Sequence, residues 1–343
     1  MWRAICSILG IMLLLATPLV GSAADQASLV IDGESIQRIV TSHPGESTSM
    51  VAGESSLFVR ADGDWTPQGT TPPAGRIVWA GGDSELLLAG DQASCMMGGA
   101  EGPLSLSNDG GSTWTEVEET VGLRPLAIWA DPVIALASSC AGLQISTDNG
   151  HTWSLVPGIE PGFDITAFAE VANADGGPVV LLGLTGEGGT STIYRLDLTD
   201  PATPGVSEPL REYYAIGGLA GSGETYVLVA MDGAWISADA GVTWERHADG
   251  LDGMVLEQDP LQYGLPEDID PRALGLFAVG FIPGDDMGMV AGSANGLYVT
   301  DSLGGPWSLV EGTSGRIEQV SVSSDGMRVV YATADNVFEI DLN

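Results

Sequence analysis

Ser146-Thr147-Asp148-Asn149-Gly150-His151-Thr152-Trp153 reads as Ser-x-Asp-x-Gly-x-Thr-Trp, and the pattern returns at residues 107–114 and 237–244. A worn copy at residues 300–307 keeps Gly304 and Trp307 but has Ser302 where the Asp belongs. The pattern is that of a tight turn. A short carboxylate (Asp109, Asp148, Asp239) caps backbone N–H groups of its own turn, and Gly111, Gly150 and Gly241 supply the positive φ the turn needs. Trp114, Trp153 and Trp244 then bury a large ring as the next strand begins. Ser107, Ser146 and Ser237 open the turns.

Outward from these turns the chain reads as short strands punctuated by glycine, with no sustained helical period. The repeats phase into units beginning near residues 36, 76, 126, 165, 214, 274 and 318. The fourth and seventh carry no box. A sandwich or a β-helix uses similar hairpins, but spacings of roughly 40–50 residues match propeller blades and exceed β-helix repeats. The boxes resemble the Asp-box (BNR-like) repeat of sialidases, sortilin-type receptors and photosystem II assembly factors. The resemblance implies an all-β, seven-bladed β-propeller with each box as a blade's outer hairpin. The seventh unit shows three strands, and residues 27–31 are expected to supply its fourth. The ring would then be closed by N- and C-terminal strands.

Composition narrows the class of partner. The chain of 343 residues has 46 Asp and Glu against 11 Arg and no Lys, a formal charge of −35. Nucleic acid and anionic membranes, which need a basic footprint, are excluded as partners. The 44% hydrophobic content and 48 glycines fit a turn-rich globular domain and not an acidic disordered chain. Arg3, an apolar run over residues 5–20 and the small residues 21–24 have the layout of a secretory signal peptide. The expected organisation is therefore a signal over residues 1–24 and one propeller domain over 25–343. A secreted or periplasmic, extracytoplasmic protein is expected, without a membrane span after cleavage and as a monomer. Export leaves Cys95 and Cys140 free to pair, and both fall on second-to-third-strand turns of neighbouring blades.

Two sets of residues stand out as candidate sites. Arg38, Arg76, Arg124, Arg272 and Arg316 lie at or just before inner strands, where equivalent positions converge on the channel mouth. Guanidinium forks there suit a carboxylate or phosphate. In a competing reading they pair with acids on adjoining loops and hold the blades together. The second set is the acidic connection over residues 249–270, with Tyr263 as its aromatic binding candidate; a solvated flap is the alternative. The spacing is not that of a calcium loop. His43, His151 and His247 are scattered, so neither a metal site nor a cofactor is expected, and no catalytic residue is assigned.

The resemblance to sialidases is the less complete one. Their Arg-Ile-Pro motif has its nearest echo in Phe281-Ile282-Pro283, which lacks the Arg. The photosystem-assembly-like propellers, similar in length, signal and box layout, act by binding a protein. The function expected is an exported, non-catalytic binding or assembly module with a protein or glycan partner; a sialidase-like glycoside hydrolase is the alternative.

Overall fold

A computed structural model describes residues 28–40, 49–61, 64–72, 75–80, 84–92, 95, 102–131, 133–159, 161–171, 178–186, 190–214, 216–230, 233–251, 275–284, 287–323 and 325–342. These form seven antiparallel sheets, and each sheet is one blade of a propeller. The inner strands are Glu34–Val40, Arg76–Trp79, Arg124–Ala130, Asp164–Val171, Gly218–Ser222, Leu276–Phe281 and Gln319–Val322. Second strands such as Val179–Thr185 and Thr225–Ala230 are almost wholly buried. Their continuous apolar runs follow from being covered by a blade on either side. Outermost strands such as Asp64–Thr70 and Ser154–Leu155 are polar or short, which blunts their open edges.

The core is divided among the seams. One apolar cluster lies at each of the seven blade-to-blade contacts. Between blades three and four, for example, Trp129, Ile134 and Leu136 pack on Val180, Leu182 and Leu196. The ring is therefore a chain of neighbour interfaces, each buried only when the next blade is in place.

The last seam differs from expectation. Val30–Ile31 folds back on Glu34–Ser35 of blade one through a turn at Asp32 (φ 51) and Gly33 (φ 84). Two left-handed residues make this the tight hairpin favoured by an Asp-Gly pair, so the local turn wins the segment from the seventh blade. Among the described residues, one backbone bond, from Leu29 N to Val337 O (2.7 Å), links it to the last strand, Val337–Asp341. Among the described residues the seventh blade has three strands. Side chains close the seam instead: Val330, Ala332 and Val337 meet Ile36, Ile39, Val51 and Phe58. Arg60 Nη2 contacts both oxygens of Glu339 (2.6 and 2.5 Å), Trp65 Nε1 donates to Glu339 at 3.2 Å, and the Arg60 guanidinium stacks 4.3 Å from the Trp65 ring. The hairpin holding Arg60 and Trp65, which reads in sequence as a shortened box, carries this clasp.

One boundary also shifts. Tyr214 belongs to Arg211–Tyr214, a fifth strand of blade four, so blade five begins only at Gly218. Arg211 explains why. Its guanidinium lies 4.3 Å from the Trp235 ring and 5.1 Å from the Tyr213 ring, and it donates to Trp244 O, pinning this strand across the seam.

Candidate functional site

The three full boxes are closed on themselves. In blade three, Ser146 Oγ donates to Asp148 Oδ1 (2.8 Å) and accepts from Gly150 N (2.9 Å). Asp148 in turn accepts from Thr152 N (2.8 Å) and Thr152 Oγ1 (2.6 Å). The same bonds recur around Ser107, Asp109 and Thr113, and around Ser237, Asp239 and Thr243. Burial pushes the Asp148 carboxyl up, but the Thr152 and Ser146 bonds outweigh it and leave it below the ordinary range. These acids act on their own turns.

The box glycines have a second task that the pattern alone does not reveal. A Cβ on Gly150 would lie 2.8 Å from a Leu88 methyl of blade two. On Gly241 it would lie 2.8 Å from Leu181 of blade four, and on Gly111 2.6 Å from Leu57 of blade one. Each box thus seats against the preceding blade, where no side chain fits. Boxes also bond the first hairpin of their own blade, through Gly110 N to Glu85 O and Ala240 N to Glu224 O. They therefore sit at the end of the ring where the inner strands finish.

Arg76 and Arg124 sit at the other end, where their inner strands begin, and Arg38, further along its own strand, reaches that end with its side chain. Arg38 Nη1 donates to Gly75 O (2.5 Å), the residue before blade two's inner strand. Arg124 Nη2 donates to Ile165 O in blade four. Both arginines therefore staple their blade to the next, but through backbone carbonyls and not through the acids anticipated for that role. Arg76 stands on blade two between them. Burial and the neighbouring Arg124 charge lower its guanidinium to about 10. Burial likewise lowers Arg38 and Arg124, with Asp91 opposing it at Arg38, and Asp164 and Asp91 opposing it at Arg124. All three stay cationic at neutral pH, so the structure gathers three positive charges over blades one to three.

Arg316 stands apart from this group. It pairs with Glu318 (2.9 Å) and lies 3.8 Å from the Phe277 ring centroid, bridging blades seven and six in an exposed position. Arg272 and Tyr263 lie outside the described residues, as do the signal segment and all but the first three residues of the 249–270 connection. Those three residues dock on the worn box, where Trp307 N donates to Asp249 O (2.8 Å).

Below the arginines lies the central cavity, of ≈ 380 Å³, to which all seven inner strands contribute. Arg76 and Thr166 line it together with Phe168, Phe277, Val279 and Phe281. Blade five presents little side chain here. A Cβ on Gly217 would meet Leu276 O at 2.4 Å, so blades five and six approach backbone to backbone.

Cys95 and Cys140 are joined, with Cα atoms 5.2 Å apart, and stitch blade two to blade three beside the arginines. Asp91 and Gln92 complete the arrangement. Sequence reasoning passed over them because an acid among 46 carries no signal of its own.

A family model described as the BNR/Asp-box repeat matches residues 144–155, the box hairpin of blade three. No curated protein sequence matches the chain. Repeat and geometry agree: blade three's box hairpin is a BNR/Asp-box repeat within a seven-bladed propeller.

Proposed function

We propose that this Asp-box propeller is an exported, non-catalytic binding module that takes an anionic group of a protein or glycan at the arginine-bearing mouth of its channel. The observation that carries the reading is the fixing of Arg38 and Arg124 by carbonyls of the following blades. A guanidinium has five N–H donors, so one carbonyl bond sets its direction and leaves donors for a ligand. Little side-chain entropy then remains to be lost on binding. The boxes act as frame, since their carboxylates are engaged within their own turns.

Hydrolysis of a glycoside would call for two carboxylates flanking the scissile bond. Glu318, the carboxylate among the described residues lining the cavity, is engaged by Arg316, which supports binding over chemistry. The test is a glycan array and a pull-down from the exporting cell, each run with residues 25–343 and with an Arg76→Ala/Arg124→Ala variant. The expected result is a retained partner that the variant loses. A partner held equally by the variant overturns the reading, and turnover of a bound glycan returns the hydrolase.

A further inference from the structure

Among the described residues the seventh blade ends on the strand Val337–Asp341, and that strand is set to take one more. Glu318 N donates to Ala332 O (2.9 Å), so Ala332 turns its main chain toward the inner strand. Ala332 is registered with Val337, and main-chain groups alternate in direction along an antiparallel strand. Val337, Glu339 and Asp341 therefore turn theirs outward, while Phe338 and Ile340 turn theirs inward. The outward row opens with a bond already made, from Leu29 N to Val337 O. Leu29 also packs on the seam cluster that holds Val337, so the two side chains share a face. Direction fits as well. Val337–Asp341 runs in the sense of its own inner strand, whereas Val30–Ile31 runs against the inner strand of blade one. The chain entering Leu29 thus arrives antiparallel to Val337–Asp341. The turn at Asp32 and Gly33 takes Val30–Ile31 to blade one and leaves the residues before Leu29 for blade seven.

We propose that signal cleavage completes the ring: residues 25–28 add to blade seven as its fourth strand, with the newly freed α-ammonium group on Asp341. The inference rests on the signal reading and not on the arginine mouth, so the ligand site can stand or fall without it. The count carries the register. With Leu29 opposite Val337, residues 25–28 match residues 338–341 one for one and bring Asp25 opposite Asp341. Ala27 then falls opposite Glu339, where a small side chain leaves the clasp with Arg60 and Trp65 undisturbed. Asp341 has its side chain 65% exposed and open to a further partner beside Arg328. Two carboxylates directly opposite each other repel, which weighs against the pairing in an uncleaved chain. Cleavage after Ala24 turns an amide at Asp25 into an ammonium and supplies the missing cation. The last blade is therefore held best in the processed protein.

The experiment reads amide hydrogen exchange in residues 25–343 by nuclear magnetic resonance. The outward amides of Glu339 and Asp341 are expected to be protected. Ala27→Pro removes the N–H that donates to Glu339 O in this register. Glu339 and Asp341 should then exchange roughly tenfold faster, the weight of about one ladder bond, with Phe338 and Ile340 unchanged as the check on folding. The charge pair has its own readout. The chain has no lysine, so the α-amino group is the one amine of the mature protein. Reductive methylation with labelled formaldehyde marks it, and its signal should titrate above the ordinary α-amino range of about 7.7–8.0. Asp341→Asn should lower that value. Free exchange of Glu339 and Asp341 in residues 25–343 overturns the fourth strand. Protection that survives Ala27→Pro, or that grows with protein concentration, also overturns it, since another segment or a second copy then holds the edge. A titration indifferent to Asp341→Asn overturns the placing of the ammonium group.

Discussion

Ala240 holds a left-handed conformation (φ 56) where the first box has Gly110 (φ 68) and the second Asn149 (φ 61). An alanine there carries a steric penalty that glycine lacks, so Ala240→Gly should stabilise the protein by about 1 kcal/mol despite the added freedom of the unfolded chain. Thermal melting of the single variant checks this. Ser146 works in the opposite direction. It is buried, accepts from Gly150 N and donates to Asp148, so Ser146→Ala leaves a buried N–H without its partner. The expected loss is about 2 kcal/mol in a denaturant titration. The worn box shows why the motif decays as a unit. Pro306 stands where the other boxes have Thr, removing two of the three donors that the box carboxylate uses. Ser302→Asp alone should therefore gain nothing in melting temperature, whereas Ser302→Asp with Pro306→Thr should raise it.

Among elements, the seams decide stability. The Arg60–Glu339 contact, with side chains 9% and 19% exposed, spans the seam that closes the ring. Breaking a largely buried pair from one side leaves a charge uncompensated, so Glu339→Ala should cost about 3 kcal/mol. Burial raises the Glu339 carboxyl, but Arg60, Trp65 and Arg328 outweigh it and set it below its ordinary value. A lowered folded value means that this stabilisation is complete above the unfolded carboxylate range. It is lost as pH falls through the folded value. The Asp148 bonds have the same sign. Melting temperature should accordingly drop below about pH 4, with a smaller drop in Glu339→Gln. Blade seven is the place to look for early opening. Its seam with blade six has five buried apolar residues, and eight more are only partly covered. Hydrogen exchange should release Arg328–Ala332 amides before those of Val133–Ser139 in blade three.

For the whole molecule, charge is the governing quantity. A formal charge of −35 favours the expanded chain by self-repulsion, and salt screens it over roughly 10 Å at 0.1 M. Added salt should raise the melting temperature, the reverse of what ion-pair stabilisation alone would produce. The same acidity makes the gathering of Arg38, Arg76 and Arg124 informative. Lysine is absent, so the ion pairs of Arg60, Arg316 and Arg328 are all made by guanidinium groups.

The repeat was legible because a box is local: Ser, Asp, Gly, Thr and Trp satisfy one another within a few residues, and spacing between boxes sets the blade count. Cys95 and Cys140 were likewise placed by counting strands. Seam contacts were not legible, because they join residues far apart in sequence. Nothing local distinguishes Glu339 from the other acids before Arg60 meets it, and the fit of Gly150 against Leu88 exists only once two blades pack. The N-terminal strand shows the conflict directly: its pattern suits the seventh blade, but the Asp32-Gly33 turn folds it onto blade one. The sequence by itself determined the blades, their order and the box turns, since these follow from short-range bonds. Tertiary structure alone decided how the ring closes and which arginines meet, because long-range packing and charge proximity depend on all seven blades at once.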